Sequence, residues 1–285
     1  EGQSVPVLGP RASRDGTKVA TASMDRTARL FDLASGTCER VLEGHGDQVF
    51  SVDFSPDGRK VLTACGDHSA RIFDAATGAL ERRLAGHRQA LYTAAFSSDG
   101  AKVVTASNDK TARLFDVATG LCERTLEGHT SRIYAATFSP DSSKVLTASG
   151  DKTARLFDVA KGTCDRTFGV HGEAVYMAVF SPGGDKVLTA SADGKARLFS
   201  VETGECEKEF TGQTLAVHTV AFSPDGKKVL TASDDRTVRM FDADSAELLR
   251  SYEGHGEHVY SAAFSLDGRQ ILTASEDRTA KLFMV

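Results

Sequence analysis

"TASNDKTARLFDVATG" spans Thr105–Gly120, and 42 residues later the chain reads "TASGDKTARLFDVAKG" at Thr147–Gly162. Repeats of this kind decide the fold before any single element does. A recurrent aromatic residue falls at Phe31, Phe73, Phe115, Phe157, Phe199, Phe241 and Phe283, always 42 residues apart, with Asp after it except where Ser200 and Met284 stand. An acid keeps the same phase at Asp25, Asp67, Asp109, Asp151, Asp193, Asp235 and Asp277, and a threonine at Thr21, Thr63, Thr105, Thr147, Thr189, Thr231 and Thr273. Gly-His pairs stand at Gly44-His45, Gly86-His87, Gly128-His129 and Gly254-His255. Val170-His171 keeps the histidine alone, and Gln3 and Gln213 replace it.

Inside one repeat the pattern is β. In residues 47–86, "QVFSVDFSPDG" is a strand running into a turn. Pro56 presets φ for a type I turn and Gly58 tolerates the conformation that follows. "KVLTACGD", "SARIFDAATG" and "ALERRLAGH" supply three more short strands, separated by tight turns at Gly66-Asp67-His68 and Thr77-Gly78. Four strands with a turn about every ten residues and no helical stretch make one small antiparallel sheet. One such sheet cannot bury both faces. Seven can, if each stacks on the next around an axis, and a closed ring needs no polar caps.

Composition narrows the function classes. The chain has 285 residues, 40% hydrophobic and 26% charged, with a formal charge of -5. Acids and bases alternate, which argues against a nucleic-acid binder with a basic face. No apolar run is long enough to span a membrane, and "EGQSVPVLGP" has neither the basic nor the apolar part of a signal peptide. Cytosol or nucleus is the expected compartment. Cys38, Cys122, Cys164 and Cys206 recur in phase and Cys65 stands apart. That spacing reads as a reused small apolar residue, with neither a disulfide framework nor a zinc site. No metal or cofactor is expected.

The order Gly-His, Ser-Pro-Asp-Gly, Thr-Ala-Ser-x-Asp and aromatic-Asp resembles the WD-repeat β-propeller family over the whole chain, 1–285, read as a single domain. The resemblance implies an all-β, seven-bladed propeller of four-stranded antiparallel blades. It also implies a hydrogen-bonded network in each blade, made in the family by histidine, a second-strand hydroxyl, the tight-turn Asp and a Trp. Carried over, the sets are His45, Thr63 and Asp67; His87, Thr105 and Asp109; His129, Thr147 and Asp151; His171, Thr189 and Asp193; and His255, Thr273 and Asp277. The chain has no Trp. Phe keeps the flat apolar surface but has no N–H to donate, so the network shortens to Asp–His–Thr. Such a trio resembles a hydrolase triad. Its recurrence at a fixed period marks it as structural, and Arg29, Arg71, Arg113, Arg155, Arg197, Arg239 and Lys281 read as blade-edge structure. The Ser-Pro-Asp-Gly acids are turn formers with too few oxygen neighbours for calcium.

The chain stops just after the third strand of its seventh repeat, and Glu1-Gly2-Gln3 aligns with Glu43-Gly44-His45. The closing blade is therefore expected to lack its outer strand, and the natural protein to begin further upstream. The first strand, "VPVLGPRA", carries two prolines and is expected to be short or broken.

A propeller does not specify chemistry. The resemblance places the usual contact face at the Gly-His loops and tight turns. Five residues after each histidine position come Leu8, Phe50, Tyr92, Tyr134, Tyr176, His218 and Tyr260, holding four of the chain's five tyrosines. Beside them stand Pro6, Gln48, Ala90, Arg132, Ala174, Ala216 and His258. Tyrosines with one wet end suit interfaces. The expected partner-binding residues are Phe50, Tyr92, Tyr134, Tyr176, His218, Tyr260, Arg132 and His258. The expected function is a non-enzymatic scaffold that binds a peptide or partner protein at the channel mouth, within a larger chain or assembly. A phosphopeptide reader is the alternative, weakened because Arg132 is the only Arg or Lys at its position. An enzyme with a channel-mouth pocket is a third reading, without an unrepeated acid pair, nucleophile motif or metal cluster to support it.

Overall fold

The computed structural model describes residues 7–285, with side chains from Arg11 onward. The expectations for Gln3 and Pro6, and for the side chain of Leu8, fall outside the described residues. Among those residues there are strands and turns and no helix, so none is long and apolar enough to cross a membrane. Six four-stranded antiparallel sheets and one three-stranded sheet follow one another along the chain, each with its strands in sequential order. They are the seven blades of a β-propeller. The second blade is representative, with strands Val49–Phe54, Lys60–Cys65, Ala70–Asp74 and Leu80–Leu84. The seventh has three, Val259–Phe264, Gln270–Ser275 and Ala280–Met284, as the chain's register requires.

Two compact units form. One runs through Val145 and adds Phe157–Cys164; the other comprises Leu146–Leu156 and Asp165–Val285.

In the first unit, alternation along each strand feeds two cores. Val61 and Phe73 of the second blade pack with Leu30 and Leu42 of the first, while Leu62 and Ile72 pack with Leu91, Phe96 and Phe115 of the third. Adjacent residues of one strand thus serve opposite faces, as the two-residue period demands. The second unit repeats this: Leu188 and Leu198 pack with Val217 and Phe241, and Leu230 and Met240 with Val259 and Ile271. Phe73, Phe115, Phe157, Phe199 and Phe241 are each about 1% exposed and number among the largest fully buried side chains.

The Asp that follows five of the seven recurrent Phe residues has its own task. Asp74 Oδ1 accepts the Thr77 backbone N–H and hydroxyl, both at 2.7 Å, and closes a turn completed by Gly78 at φ 75°. An arginine from the preceding blade then clamps that turn. Arg40 Nε donates to Ala76 O at 2.8 Å, and in the next blade Arg82 Nη2 donates to Ala118 O at 3.0 Å. The Phe-Asp pair therefore joins an interblade anchor to a turn cap.

The Ser-Pro-Asp-Gly turn closes through Gly58 N–H to Ser55 O at 2.8 Å, with the Ser55 hydroxyl on Asp57 at 2.6 Å. Unpaired N–H groups of a first strand find side-chain acceptors on the neighbouring blade. Phe96 N–H reaches Asp53 at 2.9 Å and Ala136 N–H reaches Thr93 at 3.1 Å. Burial raises the Asp53 carboxyl above its ordinary value, and Arg11 and the Phe96 and Phe54 N–H groups oppose the rise.

The first strand, Val7–Ala12, is not short but is broken, as one alternative expected: its register is interrupted between Leu8 and Arg11, where Gly9 and Pro10 stand. One expectation changes. Cys38, Cys122, Cys164 and Cys206 are exposed at the start of fourth strands rather than packed as small apolar residues. Those strands present four successive exposed or half-exposed positions before one buried residue. Cys65 alone is buried; its thiol donates to Asp47 O at 3.2 Å.

Candidate functional site

The buried polar network takes more than one form. In the third blade His87 Nδ1 lies 2.8 Å from Asp109 Oδ2 and Nε2 lies 2.7 Å from Thr105 Oγ1. The seventh blade matches it, with His255 2.8 Å from both Asp277 and Thr273. Hydrogen bonds hold the Asp109 carboxyl well below its ordinary range despite burial, the largest coming from His87.

The second and fifth blades depart from the expected direct Asp–His link. His171 Nε2 still meets Thr189 at 3.1 Å, but Arg197 Nη1 enters between ring and acid, 2.8 Å from Nδ1 and 2.7 Å from Asp193 Oδ2. In the second blade Arg71 Nη2 takes Asp67 at 2.6 Å, His45 keeps only Thr63 at 2.9 Å, and its Nδ1 has no hydrogen-bond partner. Burial first, then the neighbouring guanidinium, pushes His45 and His171 each down to about 4. The reason is competition: where Arg reaches the acid, the histidine loses it. In the seventh blade Lys281 holds the Arg position and donates to Gly254 O, leaving Asp277 to the histidine. In the sixth, the Gln213 side chain donates to Thr231 while Arg239 pairs with Asp235 at 2.7 Å. His129 is buried, and its ring centroid stands 6.4 Å from Phe157.

The absent indole is compensated locally. In the fifth blade Thr189 Oγ1 donates to Arg197 O at 3.3 Å, so the hydroxyl proton is used within its own sheet. The Phe ring packs beside the histidine, as in His45–Phe73 at 5.6 Å and His171–Phe199 at 5.7 Å.

The varied first-strand positions form an aromatic array in each unit. In the first, Phe50 and Tyr92 centroids are 5.6 Å apart and Tyr92 and Tyr134 5.7 Å apart, with Arg132 Cζ 5.4 Å over the Tyr134 ring. In the second, Tyr176 stacks on His218 at 4.9 Å, His218 meets Tyr260 edge-on at 5.2 Å, and His258 lies parallel to Tyr260 at 6.4 Å. Most of these side chains are half-buried, and Tyr260 is 44% exposed.

In the second array carboxylates meet the histidines. Asp234 Oδ1 lies 2.7 Å from His218 Nε2 and 2.8 Å from His258 Nδ1, and His258 Nε2 lies 3.9 Å from Glu276. Tyr260 is pushed up to about 12, by burial first and then by its hydrogen bond to Glu276 and the nearby acids. Asp234 and Glu276 occupy the position held by Gly66, Gly150 and Ala192 in other repeats. Their meeting with two histidines needs neighbouring sheets side by side.

The family model "WD domain, G-beta repeat" matches residues 2–32, 36–74, 78–116, 120–158, 162–200, 204–242 and 246–283. A curated relative, the "Poly(A)+ RNA export protein" of Schizosaccharomyces pombe, is 47% identical over 49 residues, 17% of this chain and 14% of the relative's length. The repeat period, the sheet topology and seven consecutive family matches agree, and the chain belongs to the WD40 repeat family.

Proposed function

We propose that this chain is a non-catalytic scaffold that engages protein or peptide partners through its aromatic arrays. The observation that carries the reading is the arrays themselves. Rings contributed by successive first strands touch one another at 4.9–5.7 Å while each keeps part of its surface in water. Packing alone would bury them, as it buries Tyr252 at 4% exposure. Rigid aromatics with a polar tip give contact area at little entropic cost, and Arg132 and His258 add charge beside them. Membership of a family whose propellers typically serve as interaction scaffolds supports the same reading.

The third and seventh blades place Thr, His and Asp in triad-like geometry, but Thr105 is 0% and Thr273 1% exposed. A nucleophile sealed from substrate performs no hydrolysis, which favours a structural role. An intracellular setting, cytosol or nucleus, accords with four exposed free cysteines in one chain. The relative's name concerns RNA export. Protein partners remain the reading, because much of the basic surface is already committed to acids, as in Lys186–Glu207 at 2.7 Å and Lys195–Glu209 at 2.8 Å.

Affinity capture from cell extract with wild type and a Tyr92→Ala, Tyr134→Ala, Tyr176→Ala variant tests this. A folded variant should lose bound proteins that wild type retains. An unchanged set would overturn the reading.

A further inference from the structure

The seventh blade gathers donors that no other repeat has. Glu257 and His258 sit on the loop entering its first strand, and Glu276 on the tight turn after its second. The Glu276 backbone N–H donates to His258 O at 2.9 Å, which fixes the two segments side by side. One donor atom from each of the three side chains lies within 4.8 Å of the others. The repeat does not call for this set. Ala90, Ala174 and Ala216 hold the position of His258, and Gly66, Gly150 and Ala192 that of Glu276.

The histidine is also aimed. Its Nδ1 lies 2.8 Å from Asp234 Oδ1, although not aligned well enough to count as a hydrogen bond. A carboxylate at that distance favours the proton on Nδ1. The Nε2 lone pair then faces Glu276, 3.9 Å away. A small rotation of the ring would align that Nδ1–H with Asp234, the carboxylate contact that orients metal-binding histidines, and leave Nε2 toward Glu276.

We propose that His258, Glu257 and Glu276 bind a divalent transition-metal ion, with Zn2+ the best fit, and that Asp234 is a positioning residue acting through His258. One imidazole and two carboxylates suit zinc. Calcium and magnesium prefer oxygen-only sets. Zinc bonds of about 2.0–2.2 Å put tetrahedral donors roughly 3.3–3.6 Å apart, so the exposed Glu side chains need only a small closure. Three protein ligands leave a fourth position open to water or to a donor from a bound partner. The inference does not depend on the scaffold reading.

Untagged protein titrated with ZnCl2 by calorimetry tests it, with nitrogen chemical shifts of the histidine rings as a second readout. The expected result is one equivalent bound, lost in His258→Ala and weakened at least tenfold in Glu276→Gln. Asp234→Asn should weaken binding by about 10–100-fold. It should also move the His258 proton off Nδ1 in the metal-free protein, with Asp234→Glu restoring both. His68→Ala, at an exposed turn, should bind as wild type does. Absence of binding, or binding unchanged in folded His258→Ala because the ion sits on the exposed cysteines, would overturn the proposal.

Discussion

Arg197 Nη1 stands between His171 and Asp193, 2.8 Å from the imidazole Nδ1 and 2.7 Å from the carboxylate. Arginine only donates, so Nδ1 must be the unprotonated nitrogen. Nε2–H then donates to Thr189, and the Thr189 hydroxyl to Arg197 O, closing a circuit with one direction. In the third blade Asp109 accepts from His87 Nδ1 instead, so a neutral His87 holds the opposite tautomer and accepts from Thr105. One repeat sequence thus supports two proton arrangements, selected by whether the cation reaches the acid.

Replacing Arg197 with Met should raise the His171 pKa above its value of about 4, because the nearby positive charge goes and Asp193 is freed to pair with the ring. The substitution also breaks a buried ion pair, at a cost of about 3–5 kcal/mol. Ring resonances followed through a pH titration, with urea unfolding of the same variant, check both effects.

Acid sensitivity should begin above the carboxylate range. His45 and His171 fall to about 4 in the fold, below the 6.5 of a free histidine. Between those values the unfolded chain binds more protons than the folded one. Stability is therefore complete above pH 6.5 and declines as pH falls toward 4, by at most about 3 kcal/mol per histidine. The unfolding free energy at pH 7 and pH 4.5 measures this. A His45→Gln, His171→Gln variant should show a flatter dependence across that window.

The Phe-Asp anchor should be a large single contributor. Phe115 is about 1% exposed and packs with Leu91, Phe96 and Val103, so Phe115→Ala should destabilise by about 3–5 kcal/mol. Chemical denaturation would read the shift in midpoint.

The tight turns carry strain that glycine would relieve. Lys110 adopts φ 71° and Lys152 φ 71°, where the fifth repeat has Gly194 at φ 79°. A left-handed non-glycine residue costs about 1–2 kcal/mol, against about 0.5–1 kcal/mol of added chain entropy for glycine. Lys110→Gly should therefore raise stability slightly, by about 0.5 kcal/mol, visible as a higher melting temperature. A clear loss would mean that the Lys110 side chain does more than occupy the turn.

Much of this architecture was legible in the sequence because it is periodic. Phe73 and its equivalents, the threonine column and the Ser-Pro-Asp-Gly turns each hold a fixed register, and a repeating sheet gives each the same neighbours. The arginine's part in the network was harder to read. Asp67 and Arg71 are four residues apart across a turn, close enough to pair, but sequence order does not say whether the guanidinium or the imidazole takes the carboxylate. The cysteines misled because phase says which position recurs and not which edge it occupies. The Asp234, His218, His258 and Glu276 cluster comes from two sheets, and residues that break the repeat have no period by which to be found.

The central claim, that partners dock on the aromatic arrays, is tested most directly by a photo-crosslinking amino acid placed singly at Tyr92, at Tyr260 and at Leu248, an exposed fourth-strand position. The account predicts covalent adducts to shared partner proteins from the Tyr92 and Tyr260 positions and none from Leu248. Adducts from Leu248 with none from either tyrosine position would contradict it.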